Sequence, residues 1–107
     1  MPYYLFQASY TSDAVASLCK RPRNRESAIR SLVQNLGGRL EGAWLAFGDY
    51  DVVAVVSMPN NVSAAAMSMA AAAGGALKSA KTTPLLKFSD GVSALKKASR
   101  AGYRPPK

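Results

Sequence analysis

Apolar and polar positions change their period several times along the chain, and each change marks an element. Residues 3–10, rich in aromatic side chains, read as a strand. Thr11-Ser12-Asp13 offers a helix cap, and Ala14, Val15, Leu18 and Cys19 fall on one face of the short helix that follows, which Pro22 interrupts. A second helix opens at Asn24 and Glu26. Its Ile29, Leu32, Val33 and Leu36 sit at i, i+3, i+4 and i+7, a continuous stripe, and Gly37-Gly38 stops it. Residues 39–47 and 51–58 read as two strands around a tight turn at Gly48-Asp49, close enough in sequence to form an antiparallel hairpin. Pro59-Asn60-Asn61 caps a third helix over 62–73, made almost wholly of Ala, Ser and Met, and Gly74-Gly75 ends it. Residues 77–89 read as a fourth strand bent at Pro84. Ser89-Asp90 caps a last helix running to about Arg100, with Val92 and Leu95 inward. This order predicts an α+β domain of the split βαβ kind, an antiparallel sheet with helices on one face and an added C-terminal helix.

The sheet pattern predicts assembly. A sheet covered on one side alternates apolar with polar residues. In 51–58, however, Val52, Ala54 and Val56 point one way while Val53, Val55 and Ser57 point the other. In 39–47, Leu40, Trp44 and Ala46 are expected on one side and Ala43, Leu45 and Phe47 on the other. Both faces are apolar, and two helices cover only one of them. The expectation is a homodimer or higher homo-oligomer with sheets packed face to face. The competing expectation is that the last helix and tail fold back over that face.

Composition narrows the chemistry. At 107 residues the chain holds one core. It divides into a domain over 1–95 and a basic tail over 96–107. It carries no His, one Cys and six acids, so a metal site is not expected, beyond a weak oxygen cluster at Asp49 and Asp51, and neither is any cofactor. Cys19 is expected to be a packing residue, because no His is present to activate it. The net charge of +8 is concentrated. Lys20, Arg21, Arg23, Arg25 and Arg30 face only Glu26 within residues 20–30, and Lys96, Lys97, Arg100, Arg104 and Lys107 have no acid among them. Such segments draw phosphates, so weak nucleic-acid binding through 20–30 and 96–107 is one alternative, against the simpler expectation of solvated charge. Neither a basic leader nor a spanning helix is visible, which makes the cytoplasm the default compartment and predicts no membrane partner.

The segment Phe47-Gly48-Asp49-Tyr50-Asp51-Val52-Val53 resembles the signature of the GYD domain family, here carried by Gly48, Tyr50 and Asp51. The Thr-Ser-Asp turn, the helix end Leu36-Gly37-Gly38-Arg39-Leu40 and Lys81-Thr82-Thr83 support the resemblance, which covers residues 3–89; the Ala-rich helix and basic tail depart from it. The resemblance implies a ferredoxin-like βαββαβ domain of the dimeric α+β barrel type and no particular reaction. Folds of that kind host cofactor-free oxygenases, isomerases, haem enzymes and effector-binding domains. The first expectation is a homo-oligomeric module that binds a small ligand or another protein. The alternative is a cofactor-independent isomerase or monooxygenase using Asp51 or a Tyr as acid–base group. The candidate ligand-binding residues are Tyr50, Asp51, Trp44, Tyr10, Lys81 and Thr83, with Tyr4 and Arg39 beside them. Each also has a plainer role: Asp51 as a cap for backbone N–H groups, Trp44 as packing in an interface, Lys81 as a charge on an edge strand.

Overall fold

The computed structural model describes residues 1–106, so Lys107 of the basic tail lies outside the described residues. The elements are β1 (Tyr3–Tyr10), α1 (Ser12–Lys20), α2 (Glu26–Asn35), β2 (Arg39–Leu45), β3 (Val52–Ser57), α3 (Asn61–Ala73), β4 (Leu77–Leu85) and α4 (Phe88–Ser99). The strands form one sheet in the order β2-β3-β1-β4, every neighbouring pair antiparallel. That is the expected α+β arrangement, compatible with a ferredoxin-like domain. No helix among the described residues is long and apolar enough to cross a membrane.

The helix-facing side of the sheet is the core. Tyr4, Phe6 and Ala8 of β1 pair with Val56, Ala54 and Val52 of β3, and all six are buried. Val33 of α2, Ala64 and Met67 of α3, and Met58 beyond β3 close over them. Local chemistry fixes where the helices start. The Thr11 hydroxyl accepts from the Ala14 N–H at 3.1 Å and Asn60 Oδ1 from the Ser63 N–H at 2.9 Å, while α2 has no side-chain cap and is preceded by a turn in which Asn24 Oδ1 accepts from the Glu26 N–H at 2.8 Å. Gly37 takes the left-handed conformation (φ 82°) that ends α2. Tyr4 donates its hydroxyl to Asn61 Oδ1, and the hydroxyls of Ser68 and Thr82 are bonded to each other, so α3 is pinned to both β1 and β4.

Four expectations need correction. The register between β2 and β3 shifts between Leu40 and Gly42. Because of this bulge Leu40, Ala43 and Leu45 lie opposite Val56, Ala54 and Val52 on the helix side, while Trp44 lies opposite Val53 on the open side. Trp44 and Leu40 therefore do not share a face. The tight turn is instead a six-residue loop over 46–51, closed by the Ala46 N–H donating to the Asp51 carbonyl at 2.8 Å. On α1, Val15 and Cys19 are exposed rather than inward, so Cys19 is not a packing residue. Finally, β4 ends at Leu85 and α4 does not turn inward: no residue of α4 is buried, and Leu95 is 70% exposed.

The open side of the sheet carries Tyr3, Leu5 and Gln7 of β1, Val53 and Val55 of β3, Trp44 of β2, and Lys81, Thr83 and Leu85 of β4. Nothing among the described residues roofs it. The fold-back expectation does not hold, because α4 leaves the body after Leu86-Lys87 and stretches the molecule to 57 × 35 × 22 Å.

Candidate functional site

Two features sit at the end of the domain where β1 finishes and the β2–β3 loop begins. The first is the loop itself. Gly48 has a φ of 143°, which a side chain would resist, and so lets the chain reverse between Phe47 and Asp49. The loop is then fastened to β1 at three points. The Ser9 hydroxyl donates to the Asp49 carbonyl at 2.7 Å, the Asp51 N–H donates to the Ala8 carbonyl at 2.8 Å, and the Tyr10 N–H donates to Asp51 Oδ2 at 2.9 Å. Tyr10 is where the β1–β4 register slips, so its N–H falls outside the regular ladder and the Asp51 carboxylate takes it.

The second feature is a cleft of about 460 Å³ beside this clamp, between the α1–α2 connection and the helix side of β2. Leu18, Ile29, Ala43, Leu45 and Val52 give it apolar walls, and Tyr10 lines it as well. A further 260 Å³ continues from it beneath α3, sharing Tyr10, Arg25, Ile29 and Val52. The space has a cause in the sequence. Ala28 on α2, Ala54 on β3, and Ala70 and Ala71 on α3 all border it, and side chains so small leave the layers unfilled. From α1 only Leu18 reaches the cleft, Val15 and Cys19 being turned outward.

The cleft is also lined by Arg23, Asn24 and Arg25, the last where the two spaces join. Among the described residues neither Arg23 nor Arg25 has a carboxylate partner, although the Arg23 guanidinium donates to the Arg21 carbonyl at 2.9 Å. Glu26 also lines the cleft but is bound to Arg30 at 3.0 Å. The other ion pair, Arg39 with Glu41 at 3.7 Å, belongs to the start of β2. Among the described residues there is no group of three or more His, Cys, Asp or Glu placed to hold a metal ion. Chemically, the arrangement offers an apolar cleft lined by two guanidinium groups that no carboxylate neutralises. An apolar body with an anionic end matches that combination.

The structure separates the six candidate ligand-binding residues. Tyr10 lines the cleft. Trp44 lies on the β2 wall of the cleft, but its indole stacks over Gly42 on the open side and is 60% exposed. Asp51 is engaged by Tyr10, and Tyr50 is half-buried in the loop beside it. Lys81 and Thr83 lie on the open side opposite Gln7 and Leu5, away from the cleft. Tyr4 is core, and Arg39 is the exposed partner of Glu41. The expected small-ligand set lacks Arg23, Arg25 and Ile29, the two arginines being expected only in the basic segment 20–30 that could draw phosphates. The available signal was the Pro22 interruption, which places a basic segment against the end of the sheet. Among known proteins, the family model described as GYD domain matches residues 4–95, most of the chain. No curated protein matches it.

Proposed function

The chain belongs to the GYD domain family, and from that premise we propose that it is a homo-oligomeric module whose helix-side cleft binds a small amphipathic anion, an apolar body ending in a carboxylate or similar group. The observation that carries the reading is the pairing of an apolar cleft of about 460 Å³ with Arg23 and Arg25 in its lining, neither with a carboxylate partner among the described residues. A cation in the lining of an apolar pocket orients a ligand, and its hydrogen bonds to an anionic end are charge-assisted. The alternative of a cofactor-independent isomerase or monooxygenase needs a group that moves a proton. The two carboxylates nearest the cleft are already engaged, Asp51 by the Tyr10 N–H and Glu26 by Arg30. What remains for a ligand is two arginines and Tyr10, a set of hydrogen-bond donors suited to holding an anion.

Titration calorimetry with decanoate and 1-decanol, a matched pair differing in the head group, tests this reading. Decanoate is expected to bind, and Arg25→Gln to weaken it about tenfold, the effect of one charge-assisted hydrogen bond of roughly 1.5 kcal/mol. Decanol is expected to be indifferent to the substitution. Equal binding of acid and alcohol, both unmoved by Arg25→Gln, would leave an apolar cavity with no anion recognition. Absence of binding by either would remove the reading.

A further inference from the structure

We propose that the open side of the sheet is completed by α4 of a second copy of this chain, two protomers exchanging their C-terminal helices about a two-fold axis. The inference rests on the homo-oligomeric part of the function above and is independent of the cleft, which lies on the other side of the sheet.

The chain is far more extended than a folded monomer of its mass. It exposes 7814 Å², where about 5,700 Å² is usual. Its radius of gyration is 17.1 Å, where about 13 Å is usual. The surplus of roughly 2,000 Å² per chain, which includes the exposed tail over 100–106, exceeds the ~800 Å² per partner of an ordinary interface.

That surplus includes two apolar surfaces of complementary kind. One is the open sheet side with Leu5, Val53, Val55 and Trp44. The other is α4, where Phe88, Val92 and Leu95 stand at i, i+4 and i+7 on one stripe, all exposed, with Gly91, Ala94 and Ala98 beside them. A solitary twelve-residue helix is marginal in water, so α4 needs packing from elsewhere. Its own protomer supplies almost none.

The complementarity selects the occupant. A foreign partner would have to bring both a helix stripe for the sheet and an apolar surface for α4. A second copy brings both at once: a two-fold operation that seats one α4 on the partner's sheet seats the partner's α4 in return, and the assembly closes at two. The basic residues Lys97 and Arg100 are exposed on the last turn of α4 and its end, clear of the Phe88–Leu95 stripe, while Lys96 flanks it one turn beyond Val92.

Sedimentation of the full chain and of the double variant Val92→Asp/Leu95→Asp tests the proposal. Both positions are exposed in the protomer, so the substitutions leave its core untouched. The unaltered chain is expected to sediment at twice the chain mass, and the variant to dissociate at least a hundredfold more readily. In a Cys19→Ser background, Leu95→Cys and Val55→Cys on separate chains are expected to be joined by a short bismaleimide when mixed. A dimer whose dissociation the double variant leaves unchanged would overturn the helix exchange while sparing the homo-oligomer. A monomeric full chain would overturn both. Cross-linking only within single chains that carry both cysteines would show α4 covering its own sheet and would likewise overturn the proposal.

Discussion

Gly38→Val is expected to destabilise the protomer by about 3 kcal/mol, lowering the melting temperature by more than ~10 °C. Gly38 is the last residue before β2, where the chain runs against the end of β3. A Cβ there would press into the sulfur of Met58, come within 2.6 Å of the Ser57 carbonyl oxygen and lie 3.1 Å from a methyl of Val33. Met58 and Val33 are among the largest fully buried side chains, and the Ser57 oxygen is backbone, so none of the three has free space to withdraw into. The Gly38 N–H also donates to the Val33 carbonyl at 2.9 Å, which fixes the approach. Differential scanning calorimetry reads the effect directly. At Gly91, where an added Cβ meets nothing within 4 Å, Gly91→Ala serves as the control and is expected to raise stability slightly by favouring the helix.

The second large effect falls on the signature. Asp51→Ala is expected to cost about 2 kcal/mol, because the Tyr10 N–H loses the carboxylate that accepts it at 2.9 Å and, being half-buried, regains water poorly. Asp51→Asn keeps a carbonyl oxygen in that place and is expected to cost less than half as much. Urea unfolding midpoints separate the two substitutions. Equal losses for Ala and Asn would mean that charge, not the hydrogen bond, matters here. No loss for either would return Asp51 to the pool of candidate chemical groups. The expected ordering makes the Asp of the signature a clasp between the β2–β3 loop and β1, which positions Tyr10 in the lining of the cleft.

Much of the architecture was legible because it depends on local periods. The Ile29, Leu32, Val33, Leu36 stripe and the Thr11 and Asn60 caps each announce an element whose physics is contained within a dozen residues. The two-sided apolar pattern at Val52–Ser57 likewise announced a sheet with an unroofed side. The faces of β2 were misassigned because one extra residue at the Leu40–Gly42 bulge inverts every side chain after it. Gly42 was the available sign, since a glycine inside a strand often marks such a slip, and here it also makes room for the Trp44 ring. Val92 and Leu95 were misplaced for a different reason. An amphipathic stripe states that a helix must be covered, but it does not state by which chain. The cleft was the least legible feature, since it arises from what alanines fail to fill, and a gap between layers leaves no period along the sequence.

The strand order carries one more consequence, for how the molecule reaches its folded state. β1 is central, yet its neighbours β3 and β4 lie far along the chain, with Tyr3 opposite Ser57 on one side and Leu85 on the other. No local hairpin can shelter it, so both of its edges wait on large loop closures. Such distant pairings place assembly among domains that fold more slowly than helical bundles. During that interval an aromatic ribbon, Tyr3-Tyr4-Leu5-Phe6, stands with unpaired backbone on both sides. That ribbon is where misassociation between unfinished chains would start.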